Sequence, residues 1–160
     1  SDLEFTQLVE AKQQSFYRVA YGYVKHPEDA LEIVQEAVCK AYVNKRRLRD
    51  PDRFYPWFYR ILANTALSFL RRRPADSIPL EEWSEPSSAD DEARWNDSLC
   101  LREALAQLDD HSRTAIVFKT YEDMTFREIA QVTGRPENTV KSDYYRGLRL
   151  LKERMNCHDV

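Results

Sequence analysis

The stretch Thr125 to Leu151, TFREIAQVTGRPENTVKSDYYRGLRLL, leaves little choice of fold. Thr125 and Glu128 have the spacing of a capping box, in which hydroxyl and carboxylate each satisfy a backbone N–H left open at a helix start. Phe126, Ile129, Ala130 and Thr133 follow at i, i+3, i+4 and i+7, so the helix that starts there has one buried stripe. Gly134 ends it, because glycine takes the left-handed stop conformation without strain. Pro136 then suits the first turn of a second helix, and Glu137 its positive end. The segment predicts a helix-turn-helix. On its second helix Val140, Tyr144, Gly147, Leu148 and Leu151 share an inward face. Asn138, Lys141, Ser142, Tyr145, Arg146 and Arg149 share an outward one, whose amide, ammonium, hydroxyl and guanidinium groups suit base edges and phosphates. The alternative reading is an amphipathic hairpin with a solvated polar face.

Helical periods recur through the rest of the 160 residues, and no convincing strand run interrupts them, so the expected class is all-α. Residues 2–24 place Phe5, Leu8, Val9, Phe16, Val19, Ala20 and Tyr23 at the spacing of one amphipathic helix. His26-Pro27 marks a turn. The next helix faces Ala30, Ile33, Val34, Ala37, Val38 and Ala41 inward and presents an acidic, polar stripe of Asp29, Glu32, Gln35 and Glu36. After a polar loop, NKRRLRDPD over 44–52, Pro56 sits near the start of a helix that buries Phe58, Ile61, Leu62, Thr65 and Phe69. That helix keeps Arg60, Asn64, Ser68 and Arg71 on another face, beside Tyr55, Trp57 and Tyr59. Rings beside arginines suit unstacked bases, the ring stacking and the guanidinium holding phosphate, although core burial explains Phe54, Trp57 and Phe58 equally well. In the last third, Leu101, Ala104, Leu105 and Leu108 indicate one helix, and Ser112 is placed to cap another that holds Ala115, Ile116 and Phe118.

A net charge of -3 argues against a basic coat, but the charges are segregated. Residues 40–73 hold ten basic side chains against two acidic ones, the footprint of a polyanion site. Residues 74–98 hold one basic against eight acidic side chains, with three prolines and several serines, and read as an acidic flexible linker that like-charge repulsion keeps off DNA. Two small helical domains are therefore expected, 1–73 and 99–160, on either side of it. Cys39, Cys100 and Cys157 are odd in number and scattered, which suggests reduced thiols with neither a disulfide framework nor a metal spacing. No apolar run reaches membrane-spanning length and no signal peptide is visible, so a cytoplasmic location is expected. No Walker loop or catalytic triad is visible either.

Taken together, the chain resembles the extracytoplasmic-function (ECF, group 4) sigma factors of bacterial RNA polymerase. EDALEIVQEAVCKAY looks like the family's polymerase-binding segment and RFYPWFYRILANTALSFLRRR like its promoter-melting, minus-10-reading helix. MTFREIAQVTGRPENTVKSDYYRGLRLLKE looks like its minus-35-reading motif. The resemblance implies a sigma region 2 bundle over 1–73 and a region 4 helix-turn-helix over 99–160. It also implies core-polymerase contacts at Asp29, Glu32, Gln35 and Glu36. Minus-10 contacts would fall at Leu48, Arg53, Trp57, Arg60, Asn64 and Arg71, with the loop around Leu48 capturing a flipped base. Minus-35 contacts would fall at Asn138, Thr139, Lys141, Ser142, Tyr145, Arg146 and Arg149.

The implied function is transcription initiation through a promoter-specificity subunit with no catalysis of its own, cofactor or small-molecule substrate. Its partners would be the polymerase core, promoter DNA and an anti-sigma factor, often membrane-bound, that regulates it. Three positions depart from the family pattern: Leu48 stands where many members are aromatic, Asp143 where they are often basic, and Asp109 where a proline is usual. Asp143 is expected to weaken phosphate contact or to face solvent. One competing reading is a stand-alone helix-turn-helix regulator with an amino-terminal sensing or partner-binding module. The other, a metal-dependent nucleic-acid enzyme using Glu32 and Glu36, lacks a matching ligand cluster.

Overall fold

The computed structural model describes residues 1–72 and 101–157, with side-chain surroundings as far as Met155. The acidic stretch 74–98 expected to be a linker lies outside the described residues, as do Arg73, Cys100 and the side chain of Cys157. Among the described residues the regular structure is helical, with no strand, and no helix is long and apolar enough to cross a membrane.

The single helix expected over 2–24 is two. α1 (Asp2–Ala11) and α2 (Gln13–Val24) meet at Lys12, whose φ of -125° and ψ of 24° leave the helical region. The Lys12 N–H turns to the Val9 carbonyl at 3.3 Å, and the Leu8 carbonyl accepts the Tyr55 hydroxyl at 3.0 Å. The break lets Phe5 meet Phe54 edge-on at 5.9 Å while Phe16, beyond it, stacks on Phe58 at 4.2 Å. One straight helix could not reach both.

α3 (Pro27–Val43) starts as its sequence implies, with Pro27 in the first turn. The Lys25 backbone is left-handed at φ 55°, and His26 caps the helix, its Nδ1 accepting the Asp29 N–H at 3.3 Å. Ala30, Ile33, Val34, Ala37 and Ala41 are buried, so the inward stripe falls where periodicity put it. The basic loop makes two 3-10 turns, Lys45–Arg47 and Pro51–Arg53, before α4 (Phe54–Arg72). Phe58, Leu62, Thr65 and Phe69 of α4 are buried, and the Thr65 hydroxyl returns to the Ile61 carbonyl at 2.7 Å.

In the second half, residues 101–106 form a helix, α5, followed by α6 (Asp110–Tyr121), α7 (Phe126–Thr133) and α8 (Glu137–Cys157). The buried Arg113 guanidinium donates to the carbonyls of Leu105 (3.0 Å), Ala106 (3.1 Å) and Leu108 (3.1 Å), closing the open end of α5. α7 carries the expected capping box, with Thr125 and Glu128 bonded reciprocally, and stops at Gly134, whose φ is 74°.

α6 is the centre of the molecule: every residue from Ser112 to Phe118 is buried. Two glycines allow this. A β-carbon at Gly147 would lie 2.6 Å from Ile116 Cδ1, and one at Gly22 would lie 2.8 Å from Tyr121 Cδ2 and 2.9 Å from Val117 Cγ1. α8 therefore closes on one side of α6 and α2 on another. The two halves share one apolar core running from Phe5 through Phe58 and Phe118 to Val140. Across the junction the buried Tyr23 hydroxyl meets Thr114 Oγ1 at 2.7 Å, and Tyr59 packs edge-on against Phe118 at 5.8 Å. Tyr59 and Arg18 also reach Glu122, at 3.3 Å and 3.5 Å. Burial raises the pKa of both Tyr23 and Tyr59, so the phenols stay protonated donors.

Lys25 lies at the same junction, its ammonium 3.9 Å from the Tyr121 ring centre, and burial lowers its pKa to about 8. Between pH 8 and the ordinary lysine range the folded chain binds fewer protons than the unfolded one, so this group makes stability rise with pH there. Urea unfolding should show that rise in the parent and a flatter dependence in Lys25→Met. Parallel pH profiles would remove Lys25 from the account.

Candidate nucleic-acid interface

α4 carries the first half of the candidate surface. Its register puts Arg60, Asn64 and Arg71 on an exposed face, with Ser68 half-buried between them. The Arg60 guanidinium lies against Gly134 of the other half, its Nη1 being 3.6 Å from where a β-carbon there would stand. Arg71 pairs across the halves with Asp110, and Arg72 pairs with Glu36 at 3.3 Å. Beside the start of α4 is a cavity of about 320 Å³, lined by the apolar Phe5, Leu8, Leu48, Pro51, Phe54 and Trp57 and by the polar Ser1, Glu4, Lys45 and Arg46. That volume is in the range of small-ligand sites, and apolar walls with Arg46 among the polar lining residues suit a flat, partly apolar group attached to a phosphate. Lys45 is anchored to Asp2, which ties the start of α1 to the cavity edge.

Of the aromatic residues left open between core and base contact, Phe54 and Phe58 are core, whereas Trp57 is half-buried and lines the cavity. Leu48 lines it too, and Arg53 is exposed at the adjoining turn. From the sequence, Phe5 reads only as a core residue and Lys45 and Arg46 only as part of the basic loop. The basic run pointed to the loop, but nothing local brings α1 to it.

The second half is α7 and α8. Asn138, Lys141, Ser142, Tyr145, Arg146 and Arg149 are exposed and Thr139 is half-buried. Tyr145 is 54 % exposed with its ring 6.1 Å from that of Phe126, and the Lys141 ammonium lies 5.9 Å from the same ring. Phe126 thus stands behind two polar groups of the outward face. Arg146 is engaged within the fold: its guanidinium meets Asp109 at 2.8 Å and Ser112 and Asp143 at 3.1 Å.

Three expectations are corrected here. Asp143 does not face solvent but is 3 % exposed, held by Arg135 Nε at 3.1 Å and by Arg146. It occupies the i+3 position after Val140, and Leu148, assigned to the inward face, is 36 % exposed instead. The α6 cap is Asp109, whose carboxylate accepts the Ser112 N–H at 3.0 Å, while Ser112 lies buried inside the helix. Burial pushes the Asp109 carboxyl up, but the Ser112 hydrogen bonds and Arg146 outweigh it and hold the group below its ordinary value.

A fourth correction concerns α3. Asp29, expected on the exposed acidic stripe, is buried at the first turn next to His26. Glu32 and Gln35 are exposed, and Glu36 is half-buried with Lys40 and Arg72 beside it. The outer face of α3 also carries Leu31, Tyr42 and Val43, so it is mixed rather than acidic.

These two half-interfaces coincide with two family matches: sigma-70 region 2 fits residues 8–75 and sigma-70 region 4 fits residues 98–151. The RNA polymerase sigma factor SigV of Bacillus subtilis (strain 168) is 38 % identical over 92 % of this chain and 89 % of its own length. The ECF RNA polymerase sigma-E factor of Escherichia coli (strain K12) is 34 % identical over 74 % of this chain and 69 % of its own. In overall shape the chain is similar to a solved structure of the sigma factor RpoE from Bartonella quintana in complex with the anti-sigma factor NepR. That likeness has a TM-score of 0.66 and 21 % identity, and covers 96 % of this chain and 97 % of that one. The chain belongs to the sigma-70 family, in its extracytoplasmic-function group. As an RNA polymerase sigma factor, it is a transcription initiation factor with a DNA-binding region 4.

The Asp143 cluster fixes α8 against α6. Asp143→Asn should lower stability by about 1–2 kcal/mol, a figure reduced because both arginines reach solvent. Guanidinium titration gives the value, and an unchanged midpoint would show that the cluster adds nothing.

Proposed function

We infer that residues 1–73 bind core polymerase and engage the minus-10 element, that 99–160 engage the minus-35 element, and that 74–98 tether the two. The observation that carries this is the α4 face, Arg60, Asn64 and Arg71, beside the cavity formed by Leu48 and Trp57. Such a surface can hold an extruded base in the cavity and guide the phosphates past it, so that captured bases offset an unstacking energy of a few kcal/mol. Arg53 extends it at the loop. On α8, Asn138, Thr139, Lys141, Ser142, Tyr145 and Arg149 would lie in or beside the major groove. Arg146 would join them while held by Asp109 and Asp143, as a pre-oriented donor.

The exposed face of α3, with Glu32, Gln35 and the edge of Glu36, is the candidate polymerase contact, from which the buried Asp29 is excluded. The chain has no catalysis of its own in this reading, since polymerase supplies the chemistry. It works in the cytoplasm and is held in check by an anti-sigma factor, as its relative RpoE is found with NepR.

The test is run-off transcription with bacterial core polymerase on a library of promoter sequences. Initiation from a defined two-part element is expected, and Asn64→Ala should lose preference at the minus-10 part while duplex minus-35 binding is kept. Failure to bind core, with tight duplex binding retained, would favour a stand-alone regulator.

A further inference from the structure

We propose that Lys119, on the helix that supports the helix-turn-helix, holds a backbone phosphate of the minus-35 element and so fixes how α8 sits in the groove. The inference rests on the minus-35 assignment above and adds to it a residue from outside the two helices of the motif.

Three helices meet at Phe126, the first residue of α7. Its ring packs edge-on against Tyr144 at 5.3 Å and lies 6.1 Å from the ring of Tyr145, both on α8. The Lys119 ammonium of α6 stands 4.8 Å from the ring centre, and the Lys141 ammonium of α8 stands 5.9 Å from it. An aromatic ring attracts a cation, so Phe126 steadies both side chains at the edge of the reading surface. Both distances are to one ring, and the two charges are therefore no more than about 11 Å apart, within the roughly 12 Å width of a major groove. With Lys141 in or beside the groove, Lys119 is within reach of the strand that borders it.

Neither cation is neutralised within the fold. Among the described residues no carboxylate lies within ion-pair distance of Lys119 or Lys141, whereas Arg135 and Arg146 of the same half are both held by Asp143. Lys119 is in the last turn of α6, where the helix dipole favours a cation. That dipole accounts for a positive charge at this position, but not for its placement against a ring shared with the outward face of α8. A phosphate beside Lys119 supplies the missing anion. Such a contact orients the protein without reading a base, since phosphates are the same in every sequence. It also releases the salt ions condensed on that phosphate, which makes it visible in the salt dependence of binding.

The test is the salt dependence of promoter binding by the full chain bound to core polymerase, on a fragment carrying the two-part element that the run-off library selects. Lys119→Gln should lower the slope of log affinity against log salt by about 0.9 and weaken binding roughly fivefold at about 0.15 M salt. The loss should be the same factor when base pairs of the minus-35 element are changed, which separates Lys119 from a base-reading residue. Lys119→Arg should restore both slope and affinity. Lys12→Gln removes the same charge from the first half and should leave both at the parent value. A Lys119→Gln slope equal to that of the parent would overturn the proposal, and a lowered thermal midpoint with that same slope would assign the lysine to the fold alone. A parent complex with no preference for any two-part element would instead overturn the minus-35 reading. The slope of the free chain on plain duplex DNA, compared between parent and Lys119→Gln, would then still decide whether Lys119 holds a phosphate.

Discussion

The burial of α6 is the constraint on which the rest of this molecule depends. A short helix with serine, arginine and threonine in its middle cannot be buried on all sides unless each polar group has a partner and each neighbouring helix can come close. Both conditions are met. Arg113 donates to three carbonyls, Thr114 meets Tyr23, and Ser112 lies between the Asp109 cap and Arg146. Gly22 and Gly147 remove the β-carbons that would hold α2 and α8 away. Without those two approaches α6 would be exposed, and the two halves would have separate cores.

Local chemistry was legible in the sequence wherever a single element decides its own fate. The α7 capping box, the Gly134 stop, the Pro27 start and the inward stripe of α3 were read correctly because caps and periodicity are properties of one helix. The sigma assignment followed from their order. What could not be read depends on contacts between distant segments. The break at Lys12 is driven by aromatic partners on α4, and nothing in residues 2–24 announces it. Asp29 was counted as exposed because acidic residues usually are, yet it sits beside a histidine cap. Of the candidate site, the outward faces of α4 and α8 were visible as periodicity, whereas the cavity between α1, the basic loop and α4 was not.

Asp143 shows why composition alone misplaces a residue. Its register calls for an inward side chain, and its charge calls for solvent. Register prevails because Arg135, just past the turn, and Arg146, one turn further on, both reach it. An acidic residue in a helix expected to meet DNA is then a fixed internal counter-ion and not an error in the reading surface.

That internal counter-ion bears on how the second half would respond to ionic strength. DNA binding by cations is driven largely by release of the salt ions condensed on phosphates, and each phosphate neutralised adds roughly 0.9 to the logarithmic salt slope. An arginine that already carries its own carboxylate displaces fewer of those ions. The α8 surface would therefore be less tuned to salt than its count of basic residues suggests, and more of its discrimination would rest on the shape of the groove and the base edges within it.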